Sequence, residues 1–204
     1  MGLGNALKEG KANQASYQNE NKLIGFFARV NYNYKGRYFV SASIRHEGSS
    51  QFGEDHKWGN FPAISLAWNI KGEQFLHNIQ AISTLKLRAG FGITGTEPGT
   101  PYLSLNKLNM GGYGYYNGKW TNLLRPDGNP NPDLRWEKKE ELNIGLDFGF
   151  LSDRISGSID FYNRETKDLI GDYQVPVPPY FSPWIKANAG SIRNTGLEVS
   201  LNIV

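Results

Sequence analysis

An aromatic, glycine-rich segment, GGYGYYNGKW, occupies positions 111–120 of the sequence. It contains Tyr113, Tyr115, Tyr116 and Trp120. Flat aromatic faces stack on sugar rings and on peptide side chains, and the surrounding glycines let the backbone adapt to a ligand. We therefore predict that these four residues contact a ligand. A packed loop tip, or a contact with a partner protein, is the alternative that the sequence leaves open.

A second aromatic segment, PVPPYFSPW at positions 176–184, is stiffened by its prolines. Proline restricts the backbone, and loops of this kind carry binding residues in many proteins. Two interpretations remain open for this segment. It contacts a partner protein, or it lines the surrounding loops.

The histidines are His46, His56 and His77. The first two flank a polar segment that also contains Glu47, Glu54 and Asp55. Carboxylates and imidazoles are metal ligands, but this spacing matches neither a zinc nor a calcium pattern. We expect no metal site and no cofactor.

No set of residues predicts catalysis. A hydrolase needs a nucleophile, a base and a group that orients the base within reach of one another. The candidate nucleophiles are serines that fall at regular alternate positions of predicted strands, namely Ser41, Ser43, Ser65, Ser156 and Ser158. Alternation already explains them, so we expect no enzyme activity.

Seven segments position these residues, and each alternates apolar with polar side chains. Successive side chains of a strand point to opposite faces, so this period predicts β-strands with one apolar face. The segments are 22–34, 38–45, 63–70, 85–94, 141–150, 155–161 and 197–203. A helical turn is predicted at EQFLHNI, between the third and fourth strands.

The connections between these strands alternate between short and long. YKGRY and LSDR are tight turns, whereas the segments around 46–60, 95–134 and 163–195 are long and polar. Short periplasmic turns, long extracellular loops and two bands of aromatic residues on the apolar face are typical of outer-membrane β-barrels. We therefore predict an all-β fold, a transmembrane barrel segment of seven or eight antiparallel strands. A soluble β-sandwich is the alternative, because its strands also alternate.

Charged side chains recur on the polar face of the predicted strands. They are Arg29, Arg45, Lys86, Arg88, Glu141, Asp147, Asp160 and Glu198. Unpaired buried charge is costly, so we expect pairing across strands, with contact to a plug as the alternative. The net charge of +3 is spread along the chain, and we expect no nucleic-acid partner.

Four segments resemble the SusC/RagA family of TonB-dependent transporters. They are VNYNYKGRYFVSASIRHEGSSQFG, FPAISLAWNI with LKLRAGFGITGT, NPNPDLRWEKKEELNIGLDFGFLSDRISGSIDFYNRETKDLI, and IRNTGLEVSLNI. They occur in the family's order between residues 22 and 204. The resemblance implies an outer-membrane barrel of about 22 strands with a plug. It also implies energy supplied by the TonB complex, a SusD-like lipoprotein cap, and an oligosaccharide or peptide substrate.

On this basis residues 1–21 are expected to be the end of an extracellular loop, and residues 22–204 part of the barrel wall. An adhesin or binding barrel without transport is the alternative function. A partial barrel leaves unpaired strand edges, which are not tolerated in hydrocarbon, and in water its apolar face promotes association. We therefore expect this chain, expressed alone, to aggregate.

Overall fold

The computed structural model describes residues 18–204, and this part of the chain contains eleven β-strands. Residues 1–17 of the predicted loop remnant lie outside it. The strands are β1 (Leu23–Tyr34), β2 (Tyr38–Ser49), β3 (Trp58–Asn69), β4 (Ile82–Thr96), β5 (Leu108–Tyr116), β6 (Lys119–Pro126), β7 (Glu137–Phe150), β8 (Ile155–Lys167), β9 (Ile170–Gln174), β10 (Trp184–Asn188) and β11 (Ser191–Ile203). The predicted helical turn is the short helix α1 (Gln74–His77), which follows a 3-10 turn at Ile70–Gly72.

Seven strands form one antiparallel sheet in the order β1-β2-β3-β4-β7-β8-β11. These are the seven strands that alternation predicts, and each pairs with the next one in the sheet. Tight turns join β1 to β2 and β7 to β8, and α1 lies in the link from β3 to β4. We call this end of the strands the short-turn end. At Lys35 and Gly36 both φ angles are positive, 54° and 64°, which suits the right-handed twist of a hairpin.

The opposite end of the strands, which we call the long-loop end, differs from the sequence prediction. The segments predicted as plain loops contain two further hairpins, β5–β6 and β9–β10, which are separate two-stranded sheets. The third strand, predicted at 63–70, begins earlier, at Trp58, and ends at Asn69, because Ile70 begins the 3-10 turn. Long connections therefore carry folded structure of their own.

The apolar face of the main sheet has no covering layer among the described residues. Ile24, Val40, Leu66 and Leu201 are all exposed on it, and Val30 keeps 69% of its surface. A soluble sandwich would bury such a face against a second sheet. The sandwich alternative is therefore wrong, and the face suits a surface in contact with lipid.

The buried apolar cluster of the described residues lies at the long-loop end. It consists of Phe52, Phe61, Leu134 and Trp136. The ring centroids of Phe52 and Phe61 lie 4.7 and 5.2 Å from that of Trp136, whose indole N–H donates to the Lys57 carbonyl over 2.9 Å. This cluster joins the loop after β2 to the segment that precedes β7.

At the short-turn end, Glu73 accepts hydrogen bonds from Arg37 (2.8 Å) and the Trp68 indole (3.1 Å). A further hydrogen bond from the Tyr38 hydroxyl is the main reason why the pKa of Glu73 is lowered. Tyr34, Tyr38 and Trp68 form an aromatic row with centroid spacings of 6.3 and 6.2 Å. Within residues 18–204, none of the helical segments has the length and apolar character to cross a membrane.

Candidate ligand-binding surface at the long-loop end

The predicted aromatic site is the tip of the β5–β6 hairpin. Asn117 and Gly118 form its turn with φ angles of 47° and 78°. Asn-Gly is the sequence signal for a two-residue hairpin turn, and it is present in a segment that was predicted to be a plain loop. The four aromatic residues are therefore held on two paired strands.

Pairing decides which of the four side chains share a face. Tyr115 is opposite Trp120, with ring centroids 5.5 Å apart at 64°, and Tyr113 is two residues before Tyr115 on the same face. Tyr116 is opposite Lys119 on the other face. The structure thus brings three of the four predicted residues together and separates Tyr116 from them.

The face that carries Tyr113, Tyr115 and Trp120 extends toward the base of the hairpin. Tyr113 and Trp120 each keep 70% of their surface, and Met110 and Leu124, which pair on the same face, are also strongly exposed. Contiguous exposed apolar surface is a feature of interaction sites on folded proteins, which makes this face the candidate site. We call these five residues the hairpin face.

The second aromatic segment is the connection between β9 and β10, and Asn129 fixes it. The Asn129 amide nitrogen donates to the carbonyls of Ser182 (2.6 Å) and Trp184 (2.9 Å). Its oxygen accepts from the backbone N–H groups of Phe181 (2.9 Å) and Ser182 (3.2 Å). Phe181 and Trp184 remain exposed, so their rings are presented on a held backbone.

A seam of polar contacts continues this attachment toward β7. The Asn131 side chain donates to the Lys186 carbonyl, and Asn188 exchanges hydrogen bonds with the backbone of Arg135. Arg135 pairs with Asp168 over 2.6 Å, which raises the pKa of the guanidinium further. The β9–β10 hairpin is therefore fastened to the segment before β7.

The polar face of the main sheet carries cross-strand ion pairs, as predicted for some of the charged residues. Arg88 bonds Asp147 and Asp160, and Arg164, which was not among the predicted residues, makes two bonds of 2.9 Å with Glu141. The others differ. Arg45 pairs with Glu47 of its own strand, Arg29 lies over Phe27, and Lys86 lies over Phe39.

His46 lies on the apolar face rather than beside a polar site. Its ring stacks on Trp58 at 4.6 Å, and Nδ1 is 2.7 Å from the Asn60 side-chain oxygen. His56 belongs to a 3-10 turn, Glu54–His56. Within the part of the chain that the structure describes, no group of three or more metal-ligating side chains comes together.

An antiparallel wall with an exposed apolar face, a charged polar face and loops sorted by length defines part of an outer-membrane β-barrel. A family model described as "TonB dependent receptor-like, beta-barrel" matches residues 3–203. The chain belongs to that family.

Relatives that are similar in sequence indicate which kind of receptor in this family the chain resembles. The chain is 40% identical over 193 residues to the TonB-dependent receptor SusC of Bacteroides thetaiotaomicron, covering 93% of this chain and 19% of SusC. It is 42% identical over 181 residues to a TonB-dependent receptor of Formosa agariphila, covering 88% and 17%. The chain thus spans about a fifth of the length of these relatives.

Solved structures of similar proteins agree with this family assignment. The RagAB peptide importer in its closed-closed state superposes with a TM-score of 0.79 at 28% identity, covering 95% of this chain and 21% of that one. The siderophore receptor PirA of Acinetobacter baumannii, at 15% identity and a TM-score of 0.61 over 89% of this chain and 25% of that one, shows the fold alone.

The predicted resemblance to the SusC/RagA type is confirmed, as is the all-β barrel fold. Receptors of this family are outer-membrane proteins of Gram-negative bacteria, which is the predicted location. The relatives are receptors and transporters, not enzymes, in agreement with the expectation of no catalytic activity.

Proposed function

We propose that the whole protein imports oligosaccharides or peptides across the outer membrane, with energy from the TonB complex. The hairpin face carries this proposal, because it presents aromatic rings at the long-loop end of a transporter-family wall. Tyr113, Tyr115 and Trp120 would contact the substrate there. Tyr116 would do so only from the other side of the hairpin. The likeness to RagAB, a peptide importer, supports the peptide alternative.

A SusD-like surface lipoprotein is the proposed partner at the same end. The aromatic rings of the β9–β10 connection and the hairpin face are large apolar groups exposed on fixed backbones. Aromatic side chains are enriched where proteins meet, because they bury much surface at low entropic cost. Residues 1–21 would be the end of a further loop on this side, and 22–204 part of the wall.

Uptake in the producing bacterium tests the transport proposal. Cells that lack the gene are supplied with labelled oligosaccharides and peptides and compared with complemented cells, with and without a functional TonB. Uptake that needs both the gene and TonB is expected. Substrate binding to cells without TonB-dependent uptake would favour an adhesin or binding barrel instead.

Matched variants test the hairpin face. The triple variant Tyr113→Ala, Tyr115→Ala, Trp120→Ala removes the rings from one face, whereas Tyr116→Ala removes a ring from the other. We expect uptake or lipoprotein co-purification to fall about tenfold in the triple variant, since exposed aromatic anchors dominate such contacts. Equal effects of the two variants would contradict a face-specific role.

A further inference from the structure

The apolar face of the main sheet has an open cavity of about 280 Å³ near the short-turn end, formed by β2, β3 and β4. Six of its lining residues form two rows across these strands. The rows are Tyr38, Trp68 and Leu87, and Val40, Leu66 and Ala89. The first row has two large rings, whereas the second row ends at a methyl group. This difference in side-chain length produces a depression, which we call the apolar groove.

The aromatic wall of the apolar groove is held in place by Glu73. The Tyr38 and Trp68 rings are stacked at an interplanar angle of 9°. The Trp68 indole N–H and the Tyr38 hydroxyl both donate to the Glu73 carboxylate, and so does Arg37. A cavity with fixed walls binds a ligand with a smaller loss of conformational entropy than a mobile one does. The wall is therefore preformed.

The same hydrogen bonds show on which side of the sheet the β3–β4 link lies. Tyr38 and Trp68 belong to the apolar face, so Glu73, which their polar groups contact, lies on the lipid side as well. The helix α1 follows Glu73 directly, and its Phe75 keeps 67% of its surface, while Ile79 beyond it is also exposed. Exposed apolar side chains at this depth suit the boundary between headgroups and acyl chains. The link is thus placed beside the headgroups of one leaflet.

Positive charge predominates at this end of the apolar groove. The tight β1–β2 turn carries Lys35 and Arg37, and the β3–β4 link carries Lys71 and Glu73. Three cations and one carboxylate give a net charge of +2. Basic residues beside a membrane surface attract anionic headgroups. The surroundings of the groove therefore favour a headgroup with net negative charge over a zwitterionic one.

The two lysines lie near opposite ends of the aromatic row. The Lys35 ammonium is 5.1 Å from the Tyr34 ring, and Lys71 follows Trp68 by three residues. The Lys71 ammonium donates to the carbonyls of Leu76 (3.0 Å) and Ile79 (2.8 Å). Within the described residues these bonds use two of its three N–H groups, which leaves one for a ligand.

We propose that the apolar groove and these lysines bind one anionic phospholipid of the leaflet at the short-turn end, which faces the periplasm. One acyl chain lies over Ala89, and the phosphate accepts hydrogen bonds from Lys35 and Lys71. An apolar cavity with a few polar groups at one end suits a ligand that has both parts. This inference goes beyond the proposed transport function, because it depends on the barrel wall and not on what the protein imports.

Photo-crosslinking of the full-length protein tests this site. The delipidated protein in detergent is incubated with phosphatidylglycerol that carries a diazirine in one acyl chain, and the crosslinked peptides are mapped by mass spectrometry. Crosslinks should concentrate on residues 38–40, 66–68 and 87–89. Unlabelled phosphatidylglycerol should compete at least about fivefold better than phosphatidylethanolamine with the same acyl chains, because of the excess positive charge.

Matched variants separate the groove from the rest of the apolar face. Ala89→Leu fills the groove and should lower crosslinking there about tenfold. Ala28→Leu is the control, since Ala28 lies on the same face, opposite Ile44 and outside the groove. Its crosslinking should stay within about twofold of the wild type. Lys35→Gln with Lys71→Gln keeps the groove and should abolish the preference for phosphatidylglycerol.

Gel mobility verifies that each variant is a folded barrel, and the lysine variant decides the test if Ala89→Leu does not fold. Crosslinks spread evenly over the apolar face would overturn the proposal, and so would wild-type labelling of the groove in Ala89→Leu. Equal competition by the two phospholipids, or an unchanged preference in the lysine variant, would overturn it as well.

Discussion

Arg88 on β4 and Asp160 on β8 are joined by a 3.0 Å hydrogen bond across an intervening strand, β7. The residue of β7 between them is Gly145, which pairs with both. A Cβ at this position would lie 2.3 Å from the Asp160 Oδ1 and 2.8 Å from the Arg88 Nη2. The missing side chain lets one guanidinium connect three strands, because Arg88 also bonds Asp147 on β7.

Gly145→Ala should displace Arg88 from Asp160. Hydrogen bonds to charged groups contribute about 1.5–3 kcal/mol. Because this network is partly exposed, we expect a loss of about 1 kcal/mol in the free energy of unfolding of the full-length barrel. Urea titration followed by gel mobility measures it. Gly90→Ala is the control, since the atom nearest to a Cβ there is 3.9 Å away. Equal stability of the two variants would contradict the three-strand link.

Arginine at Ile144 should be much more harmful than arginine at its neighbour Asn143. Ile144 is exposed on the apolar face, whereas Asn143 lies on the polar face. A charge that faces the middle of the bilayer costs about 2–4 kcal/mol. Folding of the two full-length variants into lipid vesicles gives the comparison, and equal tolerance would reverse the assignment of faces.

The buried cluster at the long-loop end should control the order of the loops. Leu134 is 0% exposed, so Leu134→Ala should cost about 2–5 kcal/mol locally. Proteolysis of residues 97–136 in intact cells should then become faster, while the membrane-embedded strands stay folded. Leu108→Ala removes the same side chain from a site that is 66% exposed and should have little effect. Comparable cleavage of the two variants would show that the cluster does not hold the loops.

Glu73 should make stability depend on pH. Its pKa is lowered from the ordinary value of 4.5, mainly by the Tyr38 hydrogen bond, so the folded state favours the carboxylate. This stabilisation is complete above the ordinary pKa and is lost as the pH falls through the lowered pKa of the folded state. Thermal unfolding should therefore show a gap between wild type and Glu73→Gln at neutral pH that narrows as the pH falls below the ordinary pKa of 4.5. A gap of constant size would contradict this.

The main sheet was predictable because apolar and polar residues alternate along each of its strands, which gives every strand one apolar face. Alternation alone places Val40, Leu66 and Ile144 together on the apolar face, and the Lys35-Gly36 turn follows from its residue types. The β5–β6 hairpin was missed although Asn117-Gly118 signals it. Its strands contain glycines, and these hide the alternation of the aromatic residues.

The attachment of the β9–β10 hairpin and the ion-pair network were beyond sequence reasoning for a different reason. The side chains of Asn129 and Asn131 bond backbone groups of Ser182 and Lys186, which are far away in the chain. The contact of Arg88 with Asp160 depends on the register of three strands. Pairing of charges was predictable as a tendency, but the partners were not.

Cysteine labelling tests most directly the central claim, that this chain is membrane-barrel wall with its long loops outside the cell. The chain has no cysteine of its own. Lys119 lies at the tip of the β5–β6 hairpin, and Gln80 is exposed at the short-turn end. Each is replaced by cysteine in a separate variant, Lys119→Cys or Gln80→Cys. In otherwise cysteine-free full-length protein, a membrane-impermeant maleimide should label Lys119→Cys on intact cells and Gln80→Cys only after permeabilisation. The reverse pattern, or equal labelling of both sites on intact cells, would contradict the topology.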